Sequence, residues 1–522
     1  MHRACSWTVN PIDLVDANEA LKRLLVQRDA EIVLMRLMLE KLKLQIARYK
    51  RDKFGASSER LAQLGQLELL VEELETGRAE MEAMVPAAMA DSAATLRKPV
   101  RKPLPEHLPR ETVTHQPACT CAGCGGTLRF IGEDVAEVLE IVPERFKVIR
   151  HVRPKFSCTT CRTITQAPAP SRPIARGLAG PNLIAHVLVS KYCDHLPLYR
   201  QSEIYERSGV ELARSTLADI VGGAHRLVEP LVRALAQHVL SADKLHADDT
   251  PVPVLAPGNG KTKTGRLWVY VRDERPMAGT APPAVWFQYS PDRKGSRPQE
   301  HLKRFSGVLQ ADGYAGFDAL YESDRISEAA CWAHARRKFY DLHAATGSPQ
   351  AAEALRRIAE LYEIEKAIRG RPPDERRHVR QEQAAPRLAD IKHWMDSTLA
   401  ATAPKSELAK AIRYSLGRWP ALLRYADDGR IEIDNNAAER EIRAVALGRK
   451  NWLFAGSDAG GERAAAMYSL IGSAKLNGID AMTYLRFVLE RIADHQINKI
   501  DELLPWNVAA ALAAQQEQKL AA

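Results

Sequence analysis

The segment KLHADDTPVPVL, residues 244–255, places two adjacent carboxylates, Asp248 and Asp249, inside an otherwise apolar and strand-like run. A carboxylate in a half-buried strand carries a desolvation cost unless a cation or hydrogen-bond donors hold it. Successive residues of a strand face opposite sides, so only one of the two can point toward a given site. The segment therefore predicts a β-strand that presents one acidic side chain to a partner elsewhere in the fold.

Strand-like segments continue downstream of this run. GRLWVYVRD (265–273) and AVWFQYS (284–290) follow, and with the first segment they predict a meander of three antiparallel strands. After a short helix comes a fourth strand, GVLQADGYAGF (307–317), with Asp312 at its end. The intervening GNGKT is not a phosphate loop, because Leu255 stands where that motif requires its first glycine and a strand follows.

Length and composition indicate a multidomain protein with an anionic partner. A chain of 522 residues is too long for one ordinary core. Its formal net charge of +9 favours polyanions such as nucleic acid. The sequence contains no run of about 18 apolar residues and no signal-peptide pattern at its start, so we expect a cytoplasmic protein without a membrane span.

The N-terminal region, residues 1–95, is predicted to form a helical arm. From Leu21 to Tyr49 apolar residues recur in steps of four and three, with Arg28 as the only polar interruption. This heptad pattern is typical of a self-associating coiled coil. The alternative is an amphipathic helix packed on its own chain. Residues 96–114, basic and rich in proline, are predicted to be an extended linker.

Two Cys-x-x-Cys pairs characterise residues 115–170. Between them, apolar and polar residues alternate on both sides of Pro143, as in a β-hairpin. In a cytosolic protein such pairs favour a metal over disulfides, and a hairpin can bring them together into a tetrahedral Zn²⁺ site. The expected ligands of this one structural ion are Cys121, Cys124, Cys158 and Cys161. His115 and Cys119 are nearby donors that we interpret as bystanders.

Residues 171–240 are predicted to be helical. Within them QSEIYERSGVELARSTLADIV (201–221) contains one helix, a turn at residues 208–210, and a second helix that Ser215 could cap. A helix-turn-helix would place Arg214 in a DNA groove. A plain helical pair is an equally good interpretation.

Three carboxylates far apart in sequence form a candidate constellation: Asp248 in the first strand, Asp312 after the fourth, and Glu439 in the first turn of a late helix. Like charges at short range need cations, and hard oxygen ligands suit a pair of Mg²⁺ or Mn²⁺ ions about 4 Å apart. Each residue also has a structural interpretation, as a turn former for the aspartates, and for Glu439 as a capping box with Asn436 or an ion pair with Arg443.

The motifs, taken together, resemble the transposases of the insertion sequence 66 family, which are bacterial DDE enzymes. They span nearly the whole chain in the family's order: RDKFGASSER, the cysteine module ending VIRHVRPKFSC, SKYCDHLPLYRQ, LHADDTPVPVL, LQADGYAGF, CWAHARRKF, IDNNAAEREIRAVALGRKNWLFAGS and LLPWN. By this resemblance Asp248, Asp312 and Glu439 match the metal-binding triad. Asp249 stands where the family usually has Glu, and we expect it beside the site or facing solvent or DNA.

The resemblance implies a multidomain α+β protein. Its parts would be the coiled-coil arm, a zinc-ribbon-like β module, a helical DNA-binding region and a ribonuclease-H-like core. The core would comprise residues 241–347 and 431–480, interrupted by an all-helical insertion at 348–430 and followed by a helical tail at 481–522.

Further residues near the triad are assigned by the same resemblance. In CWAHARRKF (331–339), Cys331 and His334 are interpreted as organisers of the core near the active site, because two ligands do not close a zinc site. Basic residues beside the acidic site are candidate phosphate contacts, although a charge run is often only a solvated face. They are Arg336, Arg337, Lys338, Arg440, Arg443, Arg449 and Lys450.

The implied activity is metal-dependent cleavage at the ends of a mobile element, with water as nucleophile, followed by attack of the freed 3′-hydroxyl on target DNA. The expected partners are terminal-repeat and target DNA, a second copy bound through the coil, and companion proteins of the same element, in a nucleoid-associated location. Two alternatives stay open: a decayed or domesticated DNA-binding protein, and a nuclease without strand transfer.

Overall fold

The computed structural model describes residues 103–117, 120–142, 145–175, 177–256, 262–448, 451 and 455–521. The coiled coil, the rest of the arm and residues 96–102 of the linker lie outside the described residues, as do Cys119, Arg449 and Lys450. The chain divides into two compact units. The first contains residues 1–168, 177–179 and 197–226, and the second contains residues 169–176, 180–196 and 227–522.

The first unit contains a four-stranded sheet. Its strands are β1 (Arg110–Thr114), β2 (Leu128–Val142), β3 (Arg145–Cys158) and β4 (Ile164–Gln166). β2 and β3 form the long antiparallel hairpin expected from the alternation, with Val142 opposite Arg145. β1 pairs with β3 in parallel, and β4 pairs with it in antiparallel orientation near its end. The sheet therefore holds both cysteine pairs at the same end of the hairpin.

Three helices follow: α1 (Pro181–Tyr192), α2 (Leu198–Arg207) and α3 (Arg214–Leu240). The turn after α2 uses Gly209 at φ +77, where a side chain would also crowd His107. α3 begins at Arg214, so Ser215 lies inside its first turn, and the expectation that Ser215 caps this helix was wrong. The helix, turn and helix are present, but a plain helical pair would contain the same elements.

The second unit is built on a mixed five-stranded sheet in the order β7-β6-β5-β8-β9. The strands are β5 (Lys244–Leu255), β6 (Thr262–Arg272), β7 (Ala284–Ser290), β8 (Gly307–Ala311) and β9 (Ile326–Ala329). β5, β6 and β7 form the antiparallel meander that the sequence predicted, whereas β8 and β9 run parallel to β5. The parallel pairing brings the end of β8 beside the middle of β5.

Helices surround this sheet and continue to the end of the chain. Two short helices lie between the strands of this sheet: α4 (Ser296–His301) and α5 (Asp318–Tyr321). A continuous series of helices follows the last strand: α6 (Trp332–Thr346), α7 (Pro349–Ile368), α8 (Pro373–Val379), α9 (Ala385–Ala400), α10 (Glu407–Gly417) and α11 (Trp419–Asp427). The last group is α12 (Asn436–Gly448), α13 (Asp458–Leu476), α14 (Ala481–Leu489) and α15 (Pro505–Ala521). None of the helices in the described part of the chain combines the length and apolar character needed to cross a bilayer.

Helix α13 completes the hydrogen bonds of the edge strand β7. The amide N–H groups of Val285 and Phe287 donate to the hydroxyl oxygens of Ser473 (3.0 Å) and Ser469 (2.8 Å). Unpaired backbone groups at a sheet edge are costly when buried, so these serines satisfy them from the side. This explains why the polar side chains of Ser469 and Ser473 are fully buried against β7.

A buried ion pair joins the helices of the 348–430 stretch. The Ser348 side chain caps α7, accepting from the N–H of Ala351 at 3.3 Å. A π-helical turn, Arg380–Ala384, connects α8 to α9 and turns Arg380 inward. Its guanidinium donates to both oxygens of Glu365, at 2.7 and 2.6 Å, and neither residue is exposed to solvent.

We expect Glu365→Gln to lower the free energy of unfolding by about 3–5 kcal/mol, because it leaves a buried guanidinium without its neutralising partner. Urea denaturation of the full chain measures this effect. The control is Glu360→Gln on the same helix, which removes an exposed partner of Arg356 and Arg387 and should cost less than about 1 kcal/mol. Equal losses in the two variants would contradict the prediction.

Candidate metal centres

Asp248, inside β5, and Asp312, directly after β8, lie at the same level of the sheet. β5 and β8 pair in parallel, and Ala247 opposite Ala311 is the last pair of the register, so each aspartate comes directly after it. Neighbouring strands lie about 4.8 Å apart, and equivalent positions of a parallel pair face the same side. The backbone N–H of Tyr314 donates to Oδ1 of Asp312 at 3.2 Å and orients that carboxylate. The sheet therefore brings these two sequence-predicted residues together.

Asn435 connects the helix that carries Glu439 to strand β5. Its side-chain nitrogen donates to the carbonyl of Ala247 (2.8 Å), and its side-chain oxygen lies 3.1 Å from Nδ1 of His246. Because the amide nitrogen is committed to a carbonyl, the oxygen must face His246, and Nδ1 of His246 carries the proton. Asn435 is fully buried. α12 thus begins directly beside the strand position that precedes Asp248.

Gln310 makes a second connection, between strand β8 and the segment before α12. Its side chain donates to the carbonyl of Glu432 at 2.6 Å and accepts from the N–H of the same residue at 3.3 Å. Gln310 is the register partner of His246, and each lies two residues before an aspartate, on the same strand face as that aspartate. Both strands therefore fix the position of Glu439 from the residues beside their own carboxylates.

The carboxylates influence one another electrostatically. Burial, together with the charges of Asp312, Asp249 and Glu439, raises the pKa of Asp248 to about 7, although a hydrogen bond from the backbone N–H of Asp249 lowers it. Oε1 of Glu439 is buried and has no hydrogen-bond partner among the described residues. A divalent cation would relieve both conditions. Carboxylate oxygens are the ligands that hard cations such as Mg²⁺ or Mn²⁺ prefer. The groups of described residues whose ligand atoms all lie within 4.8 Å of one another do not include Asp248, Asp312 and Glu439 together.

The side chain of Asp249 does not face solvent, which leaves the other of the two expectations, a position beside the site. Its side chain is 1% exposed and accepts from Arg266 at 2.9 Å and from Arg293 at 2.7 Å. The Arg293 guanidinium lies over the ring of Tyr314, 3.9 Å from its centroid, and the Tyr314 hydroxyl donates to the Arg293 carbonyl. Since Tyr314 also orients Asp312, Asp249 supports the carboxylate on the next strand through fixed partners.

Cys331 and His334 lie against Glu439, near the position expected of them. Cys331 precedes α6, and its Sγ accepts the N–H of Asn435 at 3.2 Å. Nε2 of His334 is 3.8 Å from the Glu439 carboxylate, and the Arg337 guanidinium is 3.9 Å from it. Asn436 is the first residue of α12 and donates to Asp434, so the capping box between Asn436 and Glu439 is excluded. Asn435 occupies the cap position instead.

The described basic residues near Glu439 are exposed. Arg336, Arg337 and Lys338 lie on the outer side of α6, and Arg440 and Arg443 follow Glu439 on α12. Arg336, Arg337, Tyr340, Tyr362 and Asn436 take part in lining a cavity of 480 Å³, to which α6, α7 and α12 contribute. In the first unit, Arg214 is half-buried at the start of α3. The exposed basic residues are accessible to an anion.

The four cysteines form a cluster as predicted. The Sγ distances are 3.5 Å from Cys121 to Cys161, 3.4 Å from Cys124 to Cys158 and 3.3 Å from Cys124 to Cys161. Tetrahedral zinc with Zn–S bonds of about 2.3 Å requires sulfur atoms roughly 3.8 Å apart, so the cluster fits one ion. His115 is outside this group and contacts His151 at 3.1 Å. The donor set is that of a structural zinc site.

Several residues of the carboxylate site were not recognised in the sequence: His246, Gln310, Asn435, Arg293 and Tyr314. A signal for two of them was present. LHAD (245–248) and LQAD (309–312) repeat the same pattern of apolar, polar, small and acidic residues, and the two segments are paired in register. The partners of Asp249 left no comparable local signal.

Four family models match consecutive parts of the chain. Residues 176–463 match the model described as the transposase IS66 family, 118–162 the zinc-finger binding domain of transposase IS66, 41–113 the transposase C of IS166 homeodomain, and 469–506 the IS66 C-terminal element. Similar proteins include two uncharacterized proteins of Sinorhizobium fredii (strain NBRC 101917 / NGR234). y4hP is 44% identical, covering 91% of this chain and 89% of that protein, and y4jD is 42% identical, covering 77% and 81%.

We expect Asn435→Ala to lower the free energy of unfolding by about 2–4 kcal/mol, because the buried N–H of His246 and carbonyl of Ala247 lose their partners. Thermal or urea denaturation measures the change. The neighbouring, exposed Asn436→Ala is the matched control and should cost less than about 1 kcal/mol. A loss no larger in the Asn435 variant would show that this connection contributes little.

We expect a divalent cation bound by the three carboxylates to bind more tightly as the pH rises toward 7. The native Asp248 keeps its proton up to about pH 7, whereas an unfolded aspartate loses it near pH 3.9, about its ordinary pKa. Between those values the metal-free native state loses stability as the pH rises. Binding must displace the proton, so the Mn²⁺ affinity should fall roughly tenfold per pH unit below 7.

Calorimetric titration of the full chain with Mn²⁺ measures this dependence, and two buffers of different ionisation enthalpy report the proton released. Asp248→Asn should bind the ion weakly and without the pH dependence. The same wild-type affinity one unit below and at about pH 7 would contradict the assignment.

Proposed function

Because the chain belongs to the IS66 family of transposases, we propose that it acts as a DDE transposase on the ends of an insertion sequence. The proposed reaction is metal-dependent cleavage of DNA strands at the terminal repeats, followed by joining of the freed 3′-hydroxyl to target DNA. The observations that support the proposal are the register of β5 and β8, which Asp248 and Asp312 follow at equivalent positions, and the two buried connections that hold the start of α12 to these strands. Family membership makes DNA the expected substrate.

The sheet supports a ribonuclease-H-like core. Three antiparallel strands followed by two parallel strands, in the order β7-β6-β5-β8-β9, are the arrangement that the resemblance implies for such a core. The proposed core consists of residues 241–347 and 431–480, with 348–430 as a helical insertion. This division assigns two carboxylates to the first segment and the third to the second.

In the proposed site, Asp248, Asp312 and Glu439 hold two Mg²⁺ or Mn²⁺ ions. Bound ions of this kind activate a nucleophile and stabilise the leaving oxygen of a phosphodiester. Asp248 gives up its proton on binding, because its carboxylate must be charged to serve as a ligand. His246, Gln310 and Asn435 keep the three carboxylates at fixed separations. The Asp249, Arg293 and Tyr314 contacts orient Asp312 from the opposite side of the strand.

The exposed basic residues beside Glu439 are the proposed phosphate contacts. Arg336, Arg337 and Lys338 on α6 and Arg440 and Arg443 on α12 flank the acidic site, and Arg449 and Lys450 follow in the chain. Cations at these places reduce the repulsion between phosphates and carboxylates. For recognition of terminal repeats we propose the cysteine module, the 171–240 helices with Arg214, and the 96–114 linker. The cysteine module is held by one structural Zn²⁺.

Self-association through the N-terminal coil would bring two ends of the element together. The match of residues 41–113 to a family model and the heptad from Leu21 to Tyr49 support this part of the proposal. Companion proteins encoded by the same element are further candidate partners, so they belong in the assay.

The test is cleavage of a labelled DNA fragment that carries the end of the element, with Mg²⁺ or Mn²⁺ and with companion proteins added. We expect Asp248→Asn, Asp312→Asn and Glu439→Gln each to lower the cleavage rate at least roughly 100-fold, because each removes a charged ligand of the ions. DNA binding should persist in all three. The control is Asp318→Asn, an exposed carboxylate six positions after Asp312 in the chain.

The outcomes separate the alternatives. Binding of the end without cleavage by the wild-type chain would favour a DNA-binding protein that has lost catalysis. Cleavage without joining to target DNA would favour a nuclease. Cleavage that survives Asp248→Asn would remove that residue from the triad.

A further inference from the structure

Three potential ligands of a softer metal meet beside the carboxylate site. The Sγ of Cys331, a ring nitrogen of His334 and a carboxylate oxygen of Glu439 all lie within 4.8 Å of one another. Considered alone, Cys331 and His334 are two ligands, which is too few for a zinc site. The fold supplies the third from a helix that begins about a hundred residues later in the chain.

The three donors are carried by rigid elements. Cys331 precedes α6 and His334 lies in its first turn, three residues later, so both point from the same face of the helix. Glu439 lies in the first turn of α12. The N–H of Asn435 donates to Sγ of Cys331 at 3.2 Å and joins the starts of the two helices. Cys331 is buried, whereas the side chains of His334 and Glu439 remain about a quarter exposed, which leaves a route from solvent.

Existing contacts leave these donors incompletely satisfied. Nδ1 of His334 and Oε1 of Glu439 are buried without a hydrogen-bond partner among the described residues, and buried polar atoms of this kind normally have one. The nearest approach of the two side chains, 3.8 Å, is longer than a hydrogen bond. A cation between them and Cys331 would supply the missing partner.

The donor types select the metal. Thiolate and imidazole suit Zn²⁺, whereas Mg²⁺ and Mn²⁺ prefer oxygen ligands, and zinc with three protein ligands and one open position is an established coordination. Binding replaces the thiol proton of Cys331 with the metal and releases that proton to solvent. The site therefore differs in chemistry from the all-oxygen carboxylate set, although both use Glu439.

We propose that Cys331, His334 and Glu439 form a second zinc-binding site, separate from the four-cysteine cluster. The assignment of these three zinc ligands rests on their geometry alone. One consequence rests on the proposed function: zinc bound here engages Glu439, so it competes with the catalytic ions for that carboxylate.

The test is the zinc content of the full chain. Wild-type and variant proteins are stripped of metal, reloaded with excess Zn²⁺, desalted, and analysed by atomic spectrometry. We expect Cys331→Ser and His334→Gln each to hold one zinc ion fewer per chain than the wild type. Cys193→Ser is the matched control, because Cys193 is a partly buried cysteine outside both clusters, and it should retain the wild-type content.

Two further measurements distinguish the loss of a zinc ligand from the loss of the folded structure. Circular dichroism and thermal denaturation establish that the variants are folded, and His334→Gln changes a partly exposed position, so it is informative even where Cys331→Ser is unstable. Loading with Co²⁺ should give visible absorption whose intensity falls in the Cys331 variant, because a thiolate ligand is lost. Folded His334 and Cys331 variants with the wild-type zinc content would overturn the proposal.

Zinc binding and DNA cleavage can fail independently of each other. Zinc content reports the new site whether or not the chain cleaves DNA, and cleavage in Mg²⁺ reports the carboxylate triad whether or not zinc binds. Because the comparison is a difference of one ion, it is also independent of the occupancy of the four-cysteine cluster.

Discussion

The side chain of Asn435 makes the connection on which the candidate active site depends. It joins the start of α12 to strand β5 through Ala247 and His246. Gln310 joins Glu432, in the segment before α12, to β8. These contacts lie inside the protein, where an unpaired donor or acceptor is costly. The low-energy arrangement is therefore the one in which the start of α12, which carries Glu439, is held against β5 and β8.

Strand β5 deals with the desolvation of its two aspartates in opposite ways. Asp249 is neutralised by Arg266 and Arg293, which are permanent parts of the fold. Asp248, on the other face, is buried and has other carboxylates as its neighbours, and both conditions raise its pKa. Asp249 is thus a structural group with fixed partners, whereas the charged form of Asp248 is disfavoured in a way that a bound cation would offset.

Local patterns in the sequence predicted much of this arrangement. The alternation of residues 244–290 indicated the meander, and the cysteine spacing indicated the metal cluster, because both patterns depend on neighbours in the chain. The alternation of a strand predicted that the side chain of Asp249 faces away from that of Asp248. It could not predict the partners of Asp249, since Arg293 is 44 residues away in the chain. The capping box with Asn436 was wrong, because the helix begins at Asn436 and Asn435, which donates to the carbonyl of Ala247 in β5, occupies the cap position.

The connections at Asn435 and Gln310 also bear on when the site can form during folding. His246 and Asn435 are 189 residues apart in the chain, and Gln310 and Glu432 are 122 residues apart. Contacts of such long range close after local ones, because a large loop must be ordered first. A chain emerging from the ribosome completes its strands, with both aspartates, well before α12 is available. A product that ends before α12 therefore lacks both Glu439 and the side chain of Asn435 that connects this helix to β5.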